Sequence, residues 1–252
     1  MLRFEDIVFG PIHSRRLGAS LGVNLLPPEG KLCNFDCIYC ECGWNRDGAG
    51  GGRMPDEAAV RAAMETRFPA LAAEGTRVDS ITFSGNGEPT LNPDFAGIID
   101  TAVRMRDRYF PKAAISVLSN ATMTYRPDIV SALKKVDNPI LKIDAPTDVG
   151  AGIVNRPFPG YHVADIVANL AAFGGDFILQ TMFLRGGGCD SADKEWLEGW
   201  MEIVEKLHPR EVMVYTIDRE TPEKGLAKLS AEEMSGLVKP LVDKGFNIQI
   251  RG

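Results

Sequence analysis

Along the chain, short runs of β-branched and apolar residues alternate with longer stretches whose apolar positions recur every three or four residues. The short runs predict strands at Ser20–Leu26, Ser80–Ser84, Ala114–Leu118, Ile140–Ile143, Phe177–Phe183 and Glu211–Thr216. The longer ones predict helices at Asp56–Ala73, Pro93–Arg106, Pro127–Lys135, Val163–Phe173 and Lys194–Leu207. A final helix over Ala231–Lys244 leads into a last strand, Phe246–Ile250. Capping residues mark several starts: Asp56 follows Pro55, Asn92 precedes Pro93, and Ser230 with Glu233 three residues on spells a capping box.

Strands and helices that alternate with short connections predict a parallel sheet wound by right-handed crossovers. Six such units suit an open, partial (β/α)6 barrel. A closed eight-fold barrel takes about 250 residues for its units and leaves too few per unit here. An open doubly wound sheet is the alternative. In both, the site lies at the carboxyl ends of the strands, where the polar and glycine-rich segments of this chain fall. No long linker divides the chain, so 1–252 reads as a single domain, with 1–19 as an N-terminal extension and 219–252 as a C-terminal helix–strand extension. Asp47–Gly52 (DGAGGG) reads as a flexible loop.

Composition changes little in this picture: 44% hydrophobic and 25% charged residues are ordinary for a globular protein. A net charge of −6 provides no global field for nucleic acid or anionic membrane. The start, MLRFEDIVFG, lacks the basic and apolar regions of a signal peptide. No apolar run reaches the ~18 residues of a membrane span. The expected location is therefore the cytoplasm, where thiols stay reduced. Five cysteines, four of them between 33 and 42, then argue for metal rather than disulfides.

The cysteine segment reads Lys31-Leu-Cys33-Asn-Phe-Asp-Cys37-Ile-Tyr-Cys40-Glu-Cys42. Three thiolates on a short loop can hold three corners of an iron–sulfur cluster and leave the fourth iron open. Tetrahedral zinc is the competing reading, with Cys42 as the fourth ligand. C-x3-C-x2-C with an aromatic residue before the last cysteine resembles the signature of the radical S-adenosylmethionine (SAM) superfamily, carried here by Cys33, Cys37, Tyr39 and Cys40. The resemblance implies a partial (β/α)6 barrel, a [4Fe-4S] cluster on the three cysteines, and SAM cleaved at the open iron to a 5′-deoxyadenosyl radical. It also implies a flavodoxin- or ferredoxin-type electron donor, and it puts Tyr39 near the adenine.

The segment VDSITFSGNGEPTLN resembles the family's GGEP turn, whose backbone and acidic residue hold the SAM ammonium; Gly85, Asn86, Gly87 and Glu88 occupy it here. A cationic amine wants carbonyls and a carboxylate, and glycine permits close backbone approach. An ordinary strand-to-helix turn is the plainer reading of the same residues. Ser119 and Asn120 match the family's ribose-contacting position, and Gln180, Tyr215 or Thr216 its positions for the SAM carboxylate and adenine. Lys142 and Asp144 share a strand face, either as ligand contacts or as a mutually neutralising pair. FGPIHSRRLGASLGVNLLP, SGNGEPT and QTMFLRG together resemble the branch grouped with 4-demethylwyosine synthases, which modify tRNA. Those enzymes carry a second cluster on three more cysteines, whereas only Cys42 and Cys189 remain here. The substrate expectations are a tRNA base, a protein or peptide, or, for a zinc module, none.

Among the leftover residues, Cys189 in LRGGGCDSAD is a candidate for hydrogen donation, set against a free cysteine without a role. Arg15, Arg16 and Arg156 suit an anionic substrate group or are surface arginines. His13 and His162 lie on loops that could reach the site, His208 reads as structural, and Arg104, Arg106 and Arg108 read as a solvated helix face.

Overall fold

The computed structural model describes residues 3–14, 16–47 and 52–252; Arg15 and most of the glycine-rich 47–52 loop lie outside the described residues. Two strands, β1 (Val8–Ser14) and β2 (Gly18–Val23), form an antiparallel hairpin. The chain then runs through the cysteine loop into α1 (Glu57–Ala73), β3 (Ser80–Phe83), α2 (Phe95–Tyr109), β4 (Ala114–Ser119), α3 (Pro127–Leu133) and β5 (Asn138–Lys142). Helices α4 (Asp148–Val154) and α5 (Val163–Ala171) precede β6 (Ile178–Met182). Short strands β7 (Leu184–Gly186) and β8 (Cys189–Asp190) follow, then α6 (Lys194–Leu207), β9 (Glu211–Tyr215), β10 (Ala227–Lys228), α7 (Ala231–Asp243) and β11 (Ile248–Arg251). The main sheet has the order β1-β2-β3-β4-β5-β6-β9-β11, parallel from β2 onward, and curls into a half-barrel. This is the expected partial barrel, extended by β11 at one edge and by β1 at the other.

Alternation along the strands sorts residues between two faces. Ile81, Phe83, Ile115 and Val117 are fully buried in the large core shared with the helices, which contribute Met64, Phe68, Ile98 and Ile99. The opposite face lines the lumen. There Ser20, Ser80, Thr82 and Ser116 form a ladder of hydroxyl hydrogen bonds of 2.7–3.0 Å, extended by Asn138 Nδ2 to Ser116 Oγ at 3.1 Å. A second apolar cluster, Ile140, Ile178 and Met213 with Leu17 and Leu118, fills the other half of the lumen. Register carries this face upward: Lys142 pairs with Gln180, Gln180 with Met213, and Met182 with Tyr215.

Helix starts follow their caps. Asp56 accepts from Ala59 N at 2.8 Å, and Ser230 and Glu233 form the reciprocal box. Helix α2 starts two residues later than expected. Asn92 is spent bridging segments, donating to Leu25 O and Pro55 O and accepting from Asp94 N. The hairpin strand β1, helix α4 and the small β10-β7-β8 sheet are elements the hydrophobic pattern did not predict.

Candidate active site

The cysteine loop between β2 and α1 has almost no secondary structure of its own and is shaped by its tethers. At its start, Leu32 forms a parallel bridge with Gly87: Leu32 N donates to Asn86 O at 2.8 Å and Glu88 N to Leu32 O at 3.1 Å. Gly87 has φ +141°, and a Cβ there would lie 1.9 Å from Leu32 O, so only glycine permits the bridge. Farther along, Asp36 N donates to Asn155 O and Ile38 N to Val154 O, docking the loop on the end of α4. Inside it, Lys31 Nζ donates to Asp36 Oδ1 and Gly43 O, both at 3.1 Å. Asn45 Nδ2 donates to Cys33 O and Phe35 O.

This arrangement turns Cys33, Cys37, Cys40 and Cys42 onto one cavity of about 740 Å³, its open mouth included, within the roughly 300–1,000 Å³ of small-molecule sites. Its other walls are the Gly85, Gly87 and Glu88 turn after β3, Ser119 and Asn120 after β4, Lys142, Gln180 and Tyr215 on β5, β6 and β9, and Arg16. The cavity sits at the carboxyl end of the parallel strands, as this architecture requires.

Side-chain amides approach two of the sulfurs: Asn155 Nδ2 lies 3.4 Å from Cys37 Sγ and Asn120 Nδ2 3.7 Å from Cys33 Sγ. Burial pushes the thiols of Cys33 and Cys37 up, Cys33 further so beside Glu88. The neighbouring Cys42 thiol, with burial opposing and Lys31 assisting, brings Cys40 down to about 6. Burial works against the Lys31 ammonium, but the charge of Cys40, Cys33 and Cys37 outweighs it and raises Lys31. Three cysteines on one loop, amide donors near two of their sulfurs and a buried ammonium among them fit a cysteine-bound iron–sulfur cluster.

Glu88 is 2% exposed and accepts four hydrogen bonds: from Thr90 N, Thr90 Oγ1 and Ser119 Oγ on Oε1, and from Asn120 N on Oε2. Burial raises its carboxyl, against the pull of these donors. One acceptor site remains on Oε2. Among the described residues, buried Gln180 has the Met213 thioether, 3.9 Å away, as its one hydrogen-bond neighbour, so its amide is available to a ligand.

Beneath the loop lies a buried hub. Asp144 accepts from the Tyr39 hydroxyl, from Asn155 Nδ2 at 2.6 Å and from Met182 N at 2.9 Å. Lys142 Nζ donates to the Tyr39 oxygen at 2.8 Å and lies 4.0 Å from Asp144. Burial, then Asp144, holds the Tyr39 hydroxyl well above its usual range; Lys142 is raised by Tyr215 and Asp144 although burial opposes.

Several expected site residues fall elsewhere. The Tyr39 ring is not on the cavity wall, because its hydroxyl is committed to Asp144 and Lys142. Asn86 points away, donating to Phe4 O and Pro27 O, and anchors the N-terminal segment. Asp144 lies below the cavity, whereas Lys142 reaches it. Cys189 is buried in β8, off the cavity, where burial pushes its thiol up to about 11. Thr216 is buried and donates to Phe183 O. Arg156 pairs with Glu223 at 3.0 Å, and Arg106 pairs with Asp107 and Asp137. His162 pairs with Asp148, and His208 caps α6 with φ +47°. Lys31 and Asn155 carry no signal in the sequence; their roles come from contacts across the fold.

A half-barrel of parallel strands with a three-cysteine loop at its carboxyl end is the frame of enzymes that cleave SAM at an iron–sulfur cluster. The Radical SAM superfamily model matches residues 30–186, and the chain belongs to that superfamily. It is 32% identical over 232 residues to a UPF0026 protein of Helicobacter pylori strain J99, covering 90% of this chain and 71% of that one. Among solved structures, Streptococcus suis SuiB bound to the precursor peptide SuiA superposes with TM-score 0.64 at 13% identity, over 92% of this chain and 48% of that one. The same protein is also known bound to S-adenosylmethionine. Archaeal TYW1 superposes with TM-score 0.53 at 15% identity, over 90% and 72%. The protein is thus a radical SAM enzyme that uses a [4Fe-4S] cluster and SAM. Among the described residues, no helix is long and apolar enough to cross a membrane.

Proposed function

We propose that Cys33, Cys37 and Cys40 hold the cluster and that SAM binds beside it against Gly85, Gly87, Glu88, Ser119, Asn120 and Gln180. The observation that carries this reading is that all nine residues line one cavity. The cofactor pair supplies a 5′-deoxyadenosyl radical for hydrogen abstraction. The chain's own residues supply the rest. The free acceptor site on Glu88 Oε2 would receive the SAM ammonium, Gln180 would orient a polar group of SAM, and the Asp144 hub keeps Asn155 against Cys37 Sγ.

The substrate enters from the open side of the half-barrel, where a second cavity shares Arg16, Ser84 and Leu118 with the first. Of the two substrate classes, a peptide or protein is favoured over a tRNA base. Net charge is −6, Cys42 belongs to the first cavity and Cys189 is buried away from it, so neither a polyanion-binding charge nor a second cysteine trio supports the wyosine-type branch. A flavodoxin- or ferredoxin-type protein supplies the electron.

Anaerobic reconstitution with iron and sulfide, followed by measurement of 5′-deoxyadenosine, tests the reading. Serine at Cys33, Cys37 or Cys40 is expected to abolish both iron uptake and cleavage, and serine at Cys42 to spare both. Colourless protein with one tight zinc and no cleavage would sink it. Tight tRNA binding that weakens steeply with salt would reverse the choice of substrate class.

A further inference from the structure

Three cations line the first cavity, and two of them are occupied by the protein itself. Lys31 is held by Asp36 and Gly43, Lys142 by Tyr39 and Asp144. Arg16 has no ion-pair partner among the described residues. Its guanidinium lies 4.8 Å above the centroid of the Tyr215 ring, and its Nη1 is buried with no hydrogen-bond partner among the described residues. A guanidinium stays protonated under all ordinary conditions, and a buried N–H without an acceptor is costly. The fold nonetheless builds this placement deliberately. Ser14 Oγ accepts from both Arg16 N and Leu17 N, fixing the β1–β2 turn. Leu17 packs against the lumen cluster of Ile140, Ile178 and Met213, so the turn plugs the lumen and Arg16 rises within it. Arg16 lines both the first cavity and the second, lateral one.

We propose that Arg16 recognises an oxyanion of the substrate, a carboxylate or a phosphate, where the two cavities meet. Stacking on Tyr215 fixes the plane of the guanidinium, and the unpaired Nη1 offers the donor that completes a bidentate contact. The Tyr215 ring limits approach to one side, so the anion sits at the edge of the guanidinium and the adjoining part of the substrate extends towards the SAM site. This rests on reading the first cavity as the SAM site. The carboxylate of SAM is a third source of the same chemistry, and the experiment separates it.

The test uses the reconstituted protein and two probes, inorganic phosphate and acetate, with the thermal midpoint as readout. A probe at about ten times its Kd is expected to raise the wild-type midpoint by roughly 3–6 °C. Phosphate alone acting identifies a phosphate-bearing substrate, acetate alone a carboxylate, and both a general oxyanion site. Arg16→Gln is expected to lose the shift, and Arg16→Lys to recover part of it, which shows that loss in the glutamine variant is not misfolding. Saturating SAM is expected to leave the wild-type shift in place. The proposal is overturned if neither probe acts on the wild type, if the shift survives in Arg16→Gln, or if SAM abolishes it, which would give Arg16 to the cofactor. Measuring 5′-deoxyadenosine on the same reconstituted sample keeps the two readings apart: an Arg16-dependent shift in cluster-loaded protein that never cleaves SAM counts against the function proposed above and not against the anion site.

Discussion

Replacing Gly87 with alanine forces the cysteine loop and the Gly-Glu-Pro turn apart. The added Cβ would lie 1.9 Å from the Leu32 carbonyl oxygen, a backbone atom that cannot swing aside as a side chain can. The φ of +141° is itself a conformation that L residues rarely adopt, costing about 1–3 kcal/mol. The two hydrogen bonds of the Leu32–Gly87 bridge would be lost as well, at about 1 kcal/mol net each. The sum is about 3–5 kcal/mol, a large part of the ~5–15 kcal/mol that holds a typical domain folded. Detaching the loop relieves the strain more cheaply than global unfolding, so the functional loss is expected to exceed the stability loss. Gly75→Ala is the control. Gly75 has φ +68° with nothing within 4 Å of the added Cβ, so it carries only a dihedral cost of about 1–2 kcal/mol. Urea unfolding of both variants gives the stability difference, and iron per chain after reconstitution gives the effect on the site. The reasoning is refuted if Gly87→Ala takes up full iron and its midpoint matches that of Gly75→Ala.

Two further outcomes are expected. Asp144→Ala leaves the Tyr39 hydroxyl, Asn155 amide and Met182 N–H without their acceptor, so urea unfolding should show a loss of about 3–5 kcal/mol and Asp144→Asn a smaller one; equal losses would contradict the hub. Cys189, pushed up to about 11 by burial and then by Asp190 and Asp144, should resist iodoacetamide in the native apoprotein at pH 8 and react once unfolded. Its folded value lies above the unfolded one near 8.5, so the stability it contributes is complete below the unfolded value and falls as pH rises towards 11; a thiol that alkylates at pH 8 without unfolding contradicts its burial.

The βα rhythm was legible because each strand of the sheet carries its own instruction. Ile81 and Phe83 alternate with Ser80 and Thr82, and a period of two survives without knowledge of the partner strand. Strand β1 was not, because Gly10 and Pro11 interrupt it and proline is tolerated only at a sheet edge, which is where the hairpin puts it. Helix α4 was hidden by two glycines in seven residues, yet Gly150 is needed there: a Cβ would lie 3.0 Å from the Trp196 ring. The cysteine spacing suggests cluster ligands by resemblance, but a motif cannot say where its intervening residues point. Asn86 stands between two cavity glycines and faces the other way. Tyr39 stands beside Cys40 and reaches down to Asp144.

The contacts that shape the loop span long stretches of chain. Asn155 meets Cys37 across 118 residues and Tyr39 meets Asp144 across 105. Such pairs exist only once β3, β5 and α4 have assembled, so the cysteine loop acquires its shape from the finished barrel. A loop already ordered in this way loses little conformational entropy when the cluster assembles. The same tethers make the three sulfurs unequal. Cys33 and Cys37 receive side-chain amide donors, whereas the Cys42 thiol beside Cys40 donates to Gly85 O at 3.3 Å. Hydrogen bonds to cluster sulfur set reduction potential, and the amide on Cys37 is in turn fixed by Asp144. On the proposed ligand assignment, control of the cluster would come from residues just after β5 and α4, Asp144 and Asn155, and would reach Cys37 through the Asn155 amide.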